Sequence, residues 1–315
     1  MAVLITGANG FVGSALCERL SKARLSVRCA VRKQTMAQDR NREIVVGSLS
    51  SETDWAVALR EVDQVVHLAA RVHIMNDKST DPLAEFRRVN VEATVNLARQ
   101  AASARVSRFV FISSIKVNGE FTEPGRPFTA DDVPKPEDPY GISKCEAEKL
   151  LREISASTGM EVVIIRPPLV YGPGVKANFE SIMRWLACGL PIPLAAATEN
   201  RRSLVALDNL VDLIVTCLNH PAAANQTFLV SDGEDLSTAQ LFKRMGAAMG
   251  HSARLFYLPL VLLKLGAIVL NKPSIYQRLC GSLQLDIAKT IQLLDWTPPV
   301  SVDEELRRAA ESFKR

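Results

Sequence analysis

Short apolar runs alternate along this chain with stretches in which apolar residues recur every three or four positions. Ala2 to Ile5 reads as a buried strand, and Phe11, Val12, Ala15, Leu16 and Leu20 follow it at helical spacing. Ser26 to Val31 is a second strand, and "REIVVGSL", "DQVVHLAA", "SRFVFISS" and "MEVVIIRPP" are four more β-branched runs separated by helical patterns. Such alternation predicts an α/β chain: a doubly wound parallel sheet with helices on both faces and its ligand loops at the strand C-termini. From Tyr171 the texture changes, since "YGPGVKANF" and "GLPIPLAAATENRR" are rich in Pro, Gly and polar residues and read as site-building loops. A last sheet strand, Thr227 to Val230, returns to the first lobe, and helices from Ser237 onward complete a smaller mixed α/β lobe.

One stretch departs from this rhythm. "LFYLPLVLLKLGAIVL", residues 255 to 270, is shorter than the roughly 20 apolar residues of a membrane span and is interrupted by Pro259 and Lys264. It is either a buried helix of the smaller lobe or an apolar surface for a membrane, a partner or a lipid tail.

Composition adds limits. A chain of 315 residues, 47% hydrophobic, buries a large core. Net charge is only +4 and no basic run exceeds two residues, so no nucleic-acid partner is expected. Six scattered cysteines lack metal-ligand spacing and read as reduced thiols of a cytoplasmic protein without a metal site. The first strand starts at the second residue, which leaves no room for a signal peptide.

The turn out of the first strand is the first candidate site. Gly7, Gly10 and Gly13 lie three apart, which lets the backbone turn sharply and approach a pyrophosphate at the helix N-terminus. The ribose of such a dinucleotide belongs at the end of the second strand. An acid there would bind the hydroxyls of NAD; this chain has Arg32 and Lys33, which favour the 2'-phosphate of NADP(H) over NAD(H) unless they are simply solvated surface charge.

"PYGISK" sets Tyr140 and Lys144 four apart, on one helix face. A free phenol titrates near pH ~10, and an adjacent ammonium would favour its phenolate. Ser113 and Ser114 end a predicted strand on the ligand edge, where a hydroxyl can bond a carbonyl or alkoxide oxygen.

Taken together, TGxxGxxG at Thr6 to Gly13, HLAA at His67 to Ala70, the Ser113–Ser114 pair before VNG, YGISK and RPPLVYGPG resemble the extended short-chain dehydrogenase/reductase family, in order along nearly the whole chain. That resemblance implies a Rossmann-type fold, with a dinucleotide-binding domain at 1–170 and 203–232 and a substrate lobe at 171–202 and 233–315. It implies a catalytic triad of Ser114, Tyr140 and Lys144, with Ser114 orienting the substrate oxygen, Tyr140 shuttling its proton and Lys144 holding the nicotinamide ribose and lowering the tyrosine pKa. Cofactor contacts would come from Gly7, Asn9, Gly10, Phe11, Val12 and Gly13, from Arg32, Lys33, Ser48 and Leu49, from Leu68, Ala69 and Ala70, and from Pro167 and Leu169 beside the carboxamide. Asn178, Arg202 and Arg278 would bind the diphosphate of a nucleotide sugar, with Lys116 near Ser114. Relatives also dimerise through two long helices, here around 82 to 103 and 140 to 157.

Departures narrow the chemistry. Ile115 and Lys116 replace the Asp-Glu pair of the family's 4,6-dehydratases, and Arg32, Lys33 and Ser48 replace acids common in 4-epimerases with resident NAD. The chain therefore looks most similar to bacterial NADPH-dependent 4-reductases of UDP-2-acetamido-2,6-dideoxy-4-ketohexoses that serve surface polysaccharides. A UDP-N-acetylhexosamine 4-epimerase with bound NAD, acting on a free or lipid-linked sugar, is the alternative. A catalytically silent dinucleotide sensor would not need Ser114, Tyr140 and Lys144 together.

Overall fold

The computed structural model describes residues 1–34, 42–72, 81–176 and 178–313, with backbone only at Asn178 and Ser274. Among the described residues, ten strands form two sheets: β1 (Ala2–Thr6), β2 (Ser26–Val31), β3 (Glu43–Val45), β4 (Gln64–His67), β5 (Arg108–Ile112), β6 (Glu161–Arg166), β7 (Leu169–Tyr171), β8 (Arg202–Ala206), β9 (Thr227–Leu229) and β10 (Asp235–Leu236). The large sheet has the order β3-β2-β1-β4-β5-β6-β9, parallel throughout. This is the doubly wound Rossmann-type architecture expected from the alternating runs. The chain winds outward from β1 to β3 and then restarts beside β1 at β4, so the crevice at the strand C-termini lies between β1 and β4.

Strand residues point alternately to the two faces, and each face has its own helical cover. Val3 and Ile5 pack under helices Phe11–Lys22 and Leu207–Asn219 through Leu16, Leu20, Leu210 and Ile214. Leu4, on the other face, packs with Phe109 and Phe111 under helices Ala93–Ser103 and Pro139–Thr158. Every residue of β4 and β5 is buried, as a two-sided cover requires.

A second, smaller sheet, β10-β8-β7, includes strands within the stretch after Tyr171 whose loop-like texture predicts none. Its strands are two to five residues long, too short for a periodic signal. The Tyr171 hydroxyl donates to Asp232 at 2.8 Å, and Asp232 also accepts from the Ala206 amide and the Asn209 side chain at 2.7 Å each. That cluster fastens the small sheet to the first lobe. The segment 255–270 forms the helix Leu260–Val269, none of whose residues is buried, so the reading of it as a buried helix is corrected. Leu255, Leu260 and Leu263 lean on the core of Tyr171, Phe179 and Phe242, and Val261, Leu262, Leu265, Ile268, Val269 and Leu270 face outward.

Behind the strand ends lies a buried ion pair. Arg166, at the end of β6, donates to both oxygens of Glu148 at 2.9 and 2.6 Å, and their side chains are only 2% and 1% exposed. Ser113 donates to the same carboxylate at 2.6 Å, and the third arm of Arg166 reaches Asn118 at 2.9 Å. Removing Arg166 leaves the buried Glu148 carboxylate with only the more distant, half-exposed Arg152 guanidinium at 3.5 Å. Arg166→Met is therefore expected to lower stability by about 3–5 kcal/mol in urea unfolding, and Arg166→Met with Glu148→Leu should recover much of that loss.

Candidate active site

The glycine turn is built with no room to spare. Gly7 has φ +70°, and a Cβ there would lie 2.8 Å from the Ala69 amide nitrogen. A Cβ on Gly13 would lie 2.1 Å from the Gly7 carbonyl oxygen, which itself accepts from the Gly10 amide at 2.9 Å. The helix Phe11–Lys22 starts at Gly10 with no side chain capping its first turn, so its leading amides are free to meet an anion. Asn9 and Gly10 are exposed at the mouth of the turn, Phe11 and Val12 are half-buried, and Leu68 to Ala70 line the opposite side from the end of β4. A cradle that excludes every side chain fits the pyrophosphate of a dinucleotide, and Arg32 and Lys33 lie exposed just beyond β2. Ser48, exposed, and Leu49 follow β3 on the same edge.

Helix Pro139–Thr158 carries the proposed acid–base pair. Asp138 caps it by accepting from the Gly141 amide at 2.6 Å, and Pro139 occupies the first helical position. Of the two serines, Ser113 is buried and given over to Glu148, which leaves Ser114 as the one whose hydroxyl faces Tyr140. The peptide of Ile115 donates to the Pro167 carbonyl at 3.0 Å, so the serine segment and the Pro167–Leu169 segment are held side by side.

Electrostatics correct one expectation. Burial, reinforced by the Asp138 carboxylate, pushes Tyr140 up to about 12, and the hydrogen bond of Ser114 offsets this only in part. The Lys144 Nζ is engaged away from the phenol: it donates to the Ile112 carbonyl at 2.8 Å, sits 4.4 Å from the centroid of Phe111 and is 6.0 Å from that of Tyr140. Burial pushes Lys144 itself down to about 7, against the pull of Glu148. The pair thus consists of a protonated phenol and an amine poised near neutrality.

The residues expected to touch substrate divide. Burial, and after it the nearby Arg278 guanidinium, hold Arg202 below its usual value, and neither arginine forms an ion pair among the described residues. Two guanidiniums brought together in this way suit a diphosphate. Arg202 also donates to the Gly281 carbonyl at 3.1 Å, which fixes its root beside the segment after Arg278. Asn178 begins the helix Asn178–Ala187, and its side chain lies outside the described residues. Lys116 is engaged elsewhere: its ammonium binds Asp138 at 2.5 Å and Glu120 at 2.8 Å, which leaves it as a brace beneath Tyr140.

Several supports carried no clear signal in the chain. Asn90, in a π-helical turn at Arg88–Glu92, donates to Ser143 and to the Arg71 carbonyl at 3.0 Å each, and Ser143 in turn bonds the Tyr140 carbonyl at 2.7 Å. Asp138 was legible in principle, since Asp-Pro before a helical pattern is a start signal.

Comparison with known proteins identifies the lineage. The profile of the NAD dependent epimerase/dehydratase family matches residues 3–231, and the chain belongs to that family. It is 47% identical to a UDP-glucose 4-epimerase of Vibrio cholerae over 313 residues, which is 99% of this chain and 95% of the relative. It is 27% identical to the N-acetyl-alpha-D-glucosaminyl-diphospho-ditrans,octacis-undecaprenol 4-epimerase of Escherichia coli O157:H7, covering 98% of this chain and 94% of that one. The crystal structure of UDP-N-acetylglucosamine 4-epimerase from Bacillus cereus superposes with a TM-score of 0.82 over 100% of both chains at 20% identity, a likeness of fold. The UDP-glucuronic acid 4-epimerase of Bacillus cereus in complex with NAD does so at a TM-score of 0.78 and 22% identity, covering 100% of this chain and 99% of that one.

Two expectations follow from this geometry. Gly13→Ala should weaken dinucleotide binding by at least about tenfold in calorimetric titration, because the added methyl forces the turn open. Lys144, lowered from 10.5 to about 7 on folding, binds fewer protons in the native than in the unfolded chain between those values. Stability should therefore rise with pH across that window, by on the order of 1 kcal/mol per pH unit at most, and Lys144→Met should flatten the rise in urea unfolding followed at a series of pH values.

Proposed function

We propose that this chain is an NAD-dependent 4-epimerase of a UDP-hexose or UDP-N-acetylhexosamine. The carrying observation is its 47% identity, over 99% of its length, to the Vibrio cholerae UDP-glucose 4-epimerase. The geometry agrees with that chemistry. When bound, NAD supplies the acceptor that reversibly takes the hydrogen of sugar C4. The chain's own groups manage the rest. Tyr140, as phenolate once the site is filled, would take the proton of the 4-hydroxyl and later return it, Ser114 would hold that oxygen in line, and Lys144 would hold the nicotinamide ribose from the same helix. Arg202 and Arg278 hold the diphosphate, with Asn178 as a further candidate, and Gly7, Gly10 and Gly13 the pyrophosphate. A diphosphate-linked lipid sugar, the substrate named for the Escherichia coli relative, would meet the same pair of arginines.

The second reading is the NADPH-dependent reduction of a UDP-2-acetamido-2,6-dideoxy-4-ketohexose. Arg32 and Lys33 favour it, because two exposed cations at the ribose end of β2 would attract a 2'-phosphate. Tyr140, protonated at neutral pH, would also suit the donation of a proton to a developing alkoxide. We place a homodimer interface on the adjacent helices Ala93–Ser103 and Pro139–Thr158, which share an outward groove at Arg99, Ala102 and Leu150.

Denaturing the purified protein and assaying the supernatant separates the readings: stoichiometric NAD, with equilibration of UDP-glucose and UDP-galactose or of their N-acetylated forms, supports the epimerase. Stoichiometric oxidation of NADPH by the 4-keto sugar nucleotide, without released NAD, would replace it with the reductase. In either case Tyr140→Phe should retain fold and cofactor binding and lose turnover by on the order of 100-fold or more.

A further inference from the structure

The segment from Leu260 to Cys280 forms a helical hairpin on the small lobe. Helix Leu260–Val269 closes at Asn271, which has φ +53°, and Pro273 opens the helix Pro273–Cys280. The inner stripe of the first helix, Leu260 and Leu263, leans on the small-lobe core. Its outer face is apolar as well: Val261 is 68% exposed, Leu265 52%, Ile268 55%, Val269 84% and the following Leu270 71%. A surface helix of a water-facing domain carries polar residues on that side, so one whose outward side is apolar but for Lys264 calls for an apolar partner.

Charge identifies the partner. From Leu236 to Leu285 the chain has no aspartate or glutamate. Within that span Arg254, Lys264 and Lys272 form no ion pair among the described residues. A second copy of the chain seated on this face by a two-fold axis would bring cations against cations with no acid in the segment to pair them. An anionic lipid surface takes both features at once, receiving the apolar ridge between its headgroups and the cations at its phosphates. No helix among the described residues is long and apolar enough to cross a membrane, so the hairpin would lie on the bilayer rather than span it.

We propose that the hairpin at residues 260–280 docks this protein peripherally on anionic membranes. Its root carries Arg278, the electrostatic neighbour of Arg202, so a docked protein presents its candidate diphosphate site close to the lipid surface. The test is flotation of the full chain with phosphatidylglycerol vesicles against phosphatidylcholine vesicles, read as the bound fraction without any assay of turnover. The wild-type chain should float with phosphatidylglycerol and bind on the order of tenfold less to phosphatidylcholine or in high salt. Combining Val261→Ser, Leu265→Ser and Val269→Ser should abolish flotation while circular dichroism and solution mass stay unchanged. A wild-type chain that remains unbound, or that floats equally with both lipids, would overturn the proposal. So would a triple variant of half the wild-type mass, which would make this face a contact between copies.

Discussion

The bidentate contact between Arg166 and Glu148 is the constraint on which the site depends. Two opposite charges, almost fully removed from water, must stay together because either one alone would cost several kcal/mol. Arg166 ends β6, Glu148 lies on the helix of Tyr140 and Lys144, and the Ser113 hydroxyl and Asn118 amide complete the set. Strand, helix and serine segment are therefore pinned to one another by groups that touch no substrate. Glu148 also acts at a distance of one helical turn: its negative field holds up a Lys144 pKa that burial would otherwise lower further. Position and charge of the proposed proton-transfer pair thus come from the same brace.

A second brace works from the solvent side. Lys116 bridges Asp138 and Glu120, and Asp138 caps the helix and pushes Tyr140 upward. A carboxylate that begins a helix by binding its first amides cannot easily move, so the phenol is held in a fixed negative field. A compensating positive charge, such as a bound nicotinamide would bring, is what would let Tyr140 act as a base.

Much of the fold was legible because a parallel sheet buried on both faces writes itself as continuous β-branched runs, and β1, β2, β4, β5 and β6 all lie where such runs stand. The glycine turn was legible for a steric reason, since positions 7 and 13 accept no side chain. Tyr140, Lys144 and Ser114 were legible as types at a spacing; their ionisation was not. Sequence spacing put an ammonium beside a phenol, whereas the fold turned that ammonium toward a carbonyl and the face of Phe111. Lys116 likewise reads as a substrate contact near Ser114 until the fold brings Asp138, 22 positions away, to its ammonium. The smaller sheet escaped notice because strands of two to five residues have no periodicity, and the outward face of residues 260 to 270 could not be told from a buried one by composition alone.

The outermost strand of the large sheet comes from far along the chain. β9 pairs with β6 through Ile164 and Thr227, yet everything from Pro167 to Gln226, including two strands of the other sheet, intervenes. During synthesis at ~5–20 residues per second, β6 would wait several seconds at the ribosome with its backbone donors and acceptors unpaired on one side. Loop-closure entropy makes that pairing a late event in folding as well. The nascent first lobe thus passes through a stage with an open, hydrophobic sheet edge, which makes this edge the place where a chaperone, or aggregation with a neighbouring chain, would compete with the native strand.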